Sequence, residues 1–164
     1  MEPLESHHDR EGFSCGQEAL DHYLRAQATQ DIRRRVAACF VAIEVVSGRV
    51  AAYYTLASAG IPFHDLPAEI SRKLPRYPSI PAVRIGRLAV DSRFQGHGLG
   101  GALLADALQR VLASAPAAYA LLVDAKDERA VEFYRHHGFL GLESQPRVLF
   151  LPVATAQRAL LSGA

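Results

Sequence analysis

Between Ala82 and Ala125 the chain reads strand, glycine turn, helix, strand, and that order restricts its fold more than any other feature. "AVRIGRLAVD" (82–91) has strand character, and Gly96, Gly98, Gly100 and Gly101 then fall within six residues. "LLADALQRVL" (103–112) follows at helical spacing, and "AYALLVDA" (118–125) is apolar nearly throughout. This is a βαβ unit, whose crossover makes the two strands parallel. Glycine weakens a helix by about 1 kcal/mol per position relative to alanine. Four of them at a helix start therefore point to a backbone requirement. A glycine-rich strand-to-helix turn exposes consecutive N–H groups at the positive end of the helix dipole, which suits a phosphate or pyrophosphate. A glycine turn with a purely structural purpose is the competing reading.

The turn is neither of the two best-known nucleotide motifs. A phosphate loop needs Gly-Lys-Ser/Thr, and "GLGGAL" has neither lysine nor hydroxyl. A dinucleotide fold needs an acid after the next strand. Asp124 falls there, though on a different spacing, and keeps that reading alive. The strand ahead of the turn carries a second signal. Val83 and Ile85 share one parity, Leu88 and Val90 the other. Strand side chains alternate, so a mid-strand change of parity predicts an extra residue, a bulge near Gly86 or Arg87. A bulge there would bend the strand from its parallel neighbour and leave backbone groups facing a cleft at the carboxyl ends. A strand buried on both faces, whose parity carries no meaning, is the alternative.

The rest of the chain fits around this unit. Leu20, Tyr23, Leu24 and Ala28 recur at helical spacing between Ser14 and Arg35. "ACFVAIEVV" and "RVAAYYTLASAGI" flank Ser47-Gly48, which predicts an antiparallel hairpin on a two-residue turn. "LPAEISRKL" is a short helix before the proline-rich 75–81 segment. "DERAVEFYRHHG" is a helix that Gly138 ends, "RVLFLPV" a last strand, and "ATAQRALLSGA" a helical tail. The fold class expected is α/β: a mixed sheet with a bulged, splayed central strand pair and helices on both faces. At 164 residues, without a long linker or repeat, one domain over 1–164 is expected. No apolar run reaches the roughly 20 residues that span a bilayer, and the acidic, polar start is no secretory signal. Cys15 and Cys39 have no paired spacing. No membrane association and a cytoplasmic location are therefore expected.

Three motifs now stand in order: "RLAVD" (87–91), "QGHGLG" (95–100) and "AVEFYRHHGF" (130–139). Together they resemble the bulged strand, the Q-x-x-G-x-G/A pyrophosphate motif and the A-x-x-F-Y-x-x-x-G-F helix of the GNAT superfamily of acetyl-CoA-dependent N-acetyltransferases. The likeness extends over most of the chain. "FSCGQEALDHYL", "LPRYPSIPAVRIGRLAVD" and "LFLPVAT" are most similar to the GNAT toxins of bacterial type II toxin–antitoxin modules.

The resemblance implies a site. Amides of Gln95, Gly96, His97, Gly98, Leu99, Gly100 and Gly101 would hold the diphosphate of acetyl-CoA, with Ala130 and Phe133 also on the coenzyme. Leu88, Ala89 and Val90 would pair with the pantetheine arm as an added strand. The Val90 N–H would face the thioester oxygen as charge develops. Tyr134 stands where the superfamily places its general acid, and a phenol with a pKa near 10 is protonated at neutral pH. A helical aromatic that only packs is the plainer reading of Tyr134. His136 and His137 adjoin the motif, one as surface and the other as a helix-end cap. His97 is expected to lend its backbone rather than its ring. No metal is expected: His7, His8 and Asp9 lie on an N-terminus expected to be loose. Cys39 reads as a small core residue.

Toxins of this kind acetylate the α-amino group of the amino acid on charged tRNA, which blocks translation. That chemistry suits a chain with no evident general base. An α-amino group has a pKa near 8, lowered further when the carboxyl is esterified, so much of it is neutral at physiological pH. Arg33, Arg34 and Arg35 form one basic cluster, and Arg72, Lys73 and Arg76 another, both suited to phosphates. Arg87 would either meet the tRNA end or stabilise the bulge. The net charge of +1 favours no partner by itself. Charged tRNA, a cognate antitoxin protein and a second copy of the chain are the partners that the resemblance implies. A GNAT enzyme acting on a protein or small amine, and a non-catalytic acetyl-CoA-binding regulator, are the alternatives.

Overall fold

The computed structural model describes residues 1–163. In chain order the elements are β1 (Glu2–Pro3), α1 (Glu18–His22), a π turn (Tyr23–Gln27) and α2 (Ala28–Arg33). Strands β2 (Ala38–Ile43) and β3 (Val50–Pro62), the short α3 (Ala68–Ser71), β4 (Ser79–Val90) and α4 (Leu99–Ala113) follow. Then come β5 (Ala120–Asp124), α5 (Glu128–His136), β6 (Leu140–Leu142), β7 (Gln145–Pro152) and α6 (Val153–Ser162). Among the described residues the strands form one seven-stranded mixed sheet in the order β1-β2-β3-β4-β5-β7-β6. The β4–α4–β5 unit supplies two neighbouring strands, joined by the helical connection that a parallel pair requires. The pairs β1–β2, β2–β3, β5–β7 and β6–β7 are antiparallel. No helix among the described residues is long and apolar enough to cross a membrane.

The chain packs as two compact units. Met1–Ala57 and Ile85–Ala107 form one; Ser58–Arg84 and the chain from Leu108 onward form the other. The first has a core of Phe13, Tyr23, Leu24, Val41, Val50 and Tyr53. The second is built on Ile61, Ile80, Ala120, Leu122 and Phe150. β4 passes from the second unit to the first between Arg84 and Ile85, and its burial changes parity there. Ile80 and Ala82 are buried on one parity, Ile85 and Ala89 on the other. This is not the change that the sequence suggested: Val83, Leu88 and Val90 are only half-buried, and Ile85 and Ala89 share one parity across Gly86 and Arg87. The switch falls at 83–84, where the strand leaves one core for the other.

The first helix differs from a regular one. Gly16, at φ +90°, turns the chain into it, and Arg35, at φ +58°, turns the chain out. Between them the Ala28 N–H donates to the Tyr23 carbonyl, five residues back, and the Leu24 carbonyl accepts from Arg10 Nη1 at 3.1 Å. A side-chain donor entering the helix ladder is a recognised cause of such distortion, and π turns gather at functional sites.

Two local expectations need correction. The hairpin does not turn on Ser47-Gly48 alone. Ile43 pairs with Val50, so the connection runs over 44–49. The Glu44 carboxylate accepts from the amides of Val46 and Ser47 at 3.0 and 2.6 Å, which draws Val45 and Val46 out of β2 and leaves both 94% exposed. The N-terminus is not loose either. β1 pairs with β2, the Leu4 N–H donates to the Cys39 carbonyl at 2.9 Å, and Leu4 is buried. Buried His8 ties this segment together, its Nδ1 accepting from the Glu5 amide and its Nε2 meeting Glu2 Oε1 at 2.8 Å.

Candidate active site

In the first unit the carboxyl end of β4 is built around Asp91, which is 1% exposed. Burial alone would raise its pKa. The Arg93 guanidinium, with the amides of Arg93 and Ser14, outweighs burial and holds the carboxyl down at about 2. Arg93 donates through its amide and Nε to one oxygen and through Nη2 to the other, each at 2.9 Å. The Ser14 amide adds a fourth bond at 3.1 Å, and the Asp91 amide donates to the Ala51 carbonyl at 2.8 Å. Asp91 therefore clamps the end of β4 to the segment ahead of α1. Ser92 repeats the clamp, its amide and hydroxyl both donating to the Ser14 carbonyl.

The glycine turn springs from this anchor. The Gln95 side-chain amide donates to the Val90 and Cys15 carbonyls at 2.9 and 3.2 Å, so Gln95 braces the turn with its side chain. Gly96 and Gly98 adopt φ values of +81° and +79°, and nothing lies within 4 Å of where either Cβ would stand. Gly100 and Gly101 instead lie in the first turn of α4. The Ala102 N–H donates to the Gly98 carbonyl at 3.2 Å, so the amides of Leu99, Gly100 and Gly101 precede the intrahelical ladder. A left-handed glycine pair opening onto such amides fits an oxyanion of the diphosphate type. His97 bonds through its ring Nδ1 to the Gln95 carbonyl at 3.0 Å, and so steadies the turn.

Upstream, Thr55 of β3 meets β4 at Gly86 and Arg87. The Arg87 amide donates to the buried hydroxyl of Thr55 at 3.0 Å. A Cβ on Gly86 would stand 3.1 Å from the same oxygen, so glycine makes room for the Thr55 hydroxyl. Both contacts lie at Gly86 and Arg87, the positions named above for a bulge, while burial keeps one parity from Ile85 to Ala89. Leu88, Ala89 and Val90 continue β4 beyond them. The Arg87 guanidinium lies 3.6 Å from the centroid of the Tyr23 ring.

The second unit carries Tyr134. The Asp127 side chain caps α5 by accepting from the Ala130 amide at 2.8 Å, and Gly138, at φ +93°, ends the helix. Tyr134 is 8% exposed, with its ring 5.3 Å from that of Phe139 and 5.2 Å from that of Phe133. Burial pushes its phenol up to about 12, so it carries its proton throughout the physiological range. Phe133 and Ala130 are half-buried on the same helix. His137 is the helix-end cap, bonding through Nδ1 to the Phe133 carbonyl at 2.8 Å, and His136 is exposed.

The remaining candidates fall into place. Arg33, Arg34 and Arg35 are exposed at the end of α2 in the first unit. Arg72, Lys73 and Arg76 are exposed after α3 in the second. Asp124 forms an ion pair with Arg84, which spends the acid that a dinucleotide site would need. Cys39 is buried, and burial raises its thiol to about 12, as befits a core residue and not a nucleophile. The histidine pair meets Glu2 rather than Asp9, with ligand atoms of Glu2, His7 and His8 within 4.8 Å of one another. Both ring nitrogens of His8 are already engaged there. Sequence reasoning missed Asp91 and Thr55. The Asp-x-Arg order at 91–93, directly after a strand, is the signal that could have found the first.

A family model for an acetyltransferase (GNAT) domain matches residues 74–148. A tRNA-acetylating toxin of Mycobacterium tuberculosis (strain ATCC 25618 / H37Rv) is 37% identical over 155 residues, covering 93% of this chain and 90% of that protein. A probable toxin TacT of Sinorhizobium fredii (strain NBRC 101917 / NGR234) is 34% identical over 165 residues, covering 94% of this chain and 91% of that protein. Among solved structures, AtaT complexed with acetyl-methionyl-tRNAfMet aligns with a TM-score of 0.89 at 31% identity, covering 97% of each chain. A mutant of AtaT is also solved with acetyl-CoA and the C-terminus of the antitoxin AtaR. Likeness at this level over nearly the full length places the chain in a family: it belongs to the GNAT acetyltransferases, alongside these toxins.

Proposed function

We propose that this protein is an acetyl-CoA-dependent N-acetyltransferase toxin that acetylates the α-amino group of the amino acid on charged tRNA. A cognate antitoxin protein would hold it in check. The observation that carries this reading is the full-length similarity to the tRNA-acetylating toxin, whose acceptor its printed name states. The reading places the activity in the cytoplasm, where charged tRNA is used, and assigns it to the whole chain as one catalytic domain.

The residues take the following parts. The left-handed glycines 96 and 98 and the first amides of α4 bind the diphosphate, and Leu88, Ala89 and Val90 align the pantetheine arm. The Val90 N–H stabilises the oxyanion that forms when the amine nitrogen attacks the thioester carbonyl. As the carbon–sulfur bond breaks, Tyr134 gives its proton to the departing thiolate, and the proton lost by the nitrogen restores the phenol. Pushed up to about 12, the phenol is a weaker acid than a free tyrosine, but it holds its proton at neutral pH and so has it in place for the departing thiolate. The exposed clusters Arg33–Arg35 and Arg72, Lys73 and Arg76 meet tRNA phosphates.

The test is radiolabelled acetyl transfer from acetyl-CoA to purified charged tRNAs, with Tyr134→Phe as the variant. Wild type should label at least one charged tRNA and no uncharged one. Tyr134→Phe should keep its acetyl-CoA affinity and lose turnover by on the order of 10²- to 10⁴-fold. Labelling of a peptide or polyamine with no labelling of tRNA would overturn the acceptor. Full turnover in Tyr134→Phe would overturn the acid.

A further inference from the structure

Arg87 is unlike the other arginines considered for the acceptor. It is half-buried, where the two clusters are exposed, and its guanidinium carbon lies over the face of an aromatic ring, 3.6 Å from the centroid. That ring belongs to Tyr23, itself 1% exposed and stacked in the core with Tyr53 at 6.3 Å between centroids. The Tyr53 hydroxyl is tied to the Leu20 carbonyl at 2.7 Å, and Phe13 packs edge-on to Tyr53 at 5.5 Å. Arg87 therefore caps a column of buried rings.

The phenol of Tyr23 donates to Asp31 Oδ2 at 2.9 Å. Donation to a carboxylate pushes electron density into the ring and strengthens its hold on a cation. The π turn begins at Tyr23 itself, with Asp31 in the α2 helix that follows. The Arg87 backbone is held independently, by Thr55 through its amide. Backbone and side chain are thus both fixed. Yet among the described residues the guanidinium enters no ion pair or side-chain hydrogen bond, its cation–π contact aside. A guanidinium has five N–H donors in a rigid fork. A fork restrained on its face with its donors unspent is arranged for a planar or tetrahedral oxyanion.

We infer that Arg87, positioned by Tyr23 and Asp31, grips the phosphodiester next to the aminoacylated terminal adenosine of the acceptor and so sets the depth to which the charged end enters. This rests on the proposed acceptor and goes further by naming one phosphate and the two residues that aim at it. Arg87 binds; Tyr23 and Asp31 are positioning residues, since neither is asked to touch the acceptor.

The test compares two small acceptors carrying the same amino acid: the aminoacylated CCA trinucleotide and aminoacyl-adenosine, which has no phosphate. Wild type should prefer the trinucleotide in kcat/KM. Arg87→Ala and Arg87→Lys should collapse that preference by on the order of 10- to 100-fold, through KM for the trinucleotide, with acetyl-CoA affinity unchanged. Tyr23→Leu should collapse it likewise, and Tyr23→Phe, which keeps the ring and loses the Asp31 bond, by less. Adding Tyr23→Leu to Arg87→Ala should lower the preference no further. Two results would overturn the inference: an undiminished preference in Arg87→Lys, or loss of acetyl-CoA affinity in place of acceptor affinity, which would give the phosphate to the coenzyme. Wild type that acetylates no charged tRNA at all fails earlier and removes the proposed acceptor with it.

Discussion

Asp91 joins fold and site through one side chain. Its folded pKa of about 2 lies below the ordinary carboxylate value of 3.8, so the ionised form is favoured in the native state. A depressed pKa contributes stability that is fully present above the unfolded value and is lost as pH falls through the folded one. The shift corresponds to about 2 kcal/mol. Asp91→Asn should therefore lower the melting temperature at pH 7 and narrow its deficit as pH falls from 4 towards 2. Thermal melts across that range check it, and a deficit independent of pH would show that the charge of Asp91 is not what holds the end of β4. At the same scale, Gly98→Val should weaken acetyl-CoA binding and cost about 1–3 kcal/mol of stability, because Gly98 sits at φ +79° where a β-branched residue is strained. Gly12→Ala is the control. It also opens to free space but without a left-handed backbone, and both calorimetric affinity and melting should be unchanged.

At the scale of elements, what the sequence revealed follows from the range of the interactions involved. The glycine turn, the α5 helix with its Gly138 stop and the β4–α4–β5 order rest on local chemistry and are legible residue by residue. The Thr55–Arg87 contact and the tie from Ser14 to Asp91 were not, because their partners lie far apart in the chain, whereas the Arg93 half of the Asp91 clamp is local and could have been read. The π turn was hidden for a similar reason. Leu20, Tyr23, Leu24 and Ala28 satisfy a regular helix as well as a distorted one, and the distortion involves Arg10, outside the element. Short strands escaped too. β1 and β6 have two and three residues, too few for alternation to register. The hairpin loop misled because Val45 and Val46 have strand propensity, which the capping carboxylate of Glu44 overrides.

For the molecule as a whole, charge distribution says more than its sum. A formal net charge of +1 would give weak steering, yet two exposed clusters each concentrate three cations. Reversing Arg33, Arg34 and Arg35 to glutamate should raise KM for charged tRNA and leave acetyl-CoA affinity as it was. Raising salt should weaken the wild-type reaction steeply, and the reversed variant should show a shallower slope of log(kcat/KM) against log salt. Turnover insensitive to salt would speak for a small or peptide acceptor. The ends of the strand order have a different consequence. β1 offers two residues, one of them a proline without an N–H; β6 offers three. Sheets recruit stray chains through long, unpaired rims, and stunted rims template poorly. The protein should resist fibril growth at concentrations where a flat-edged sheet would seed it, and a partner that zips on as an extra strand would find little to hold.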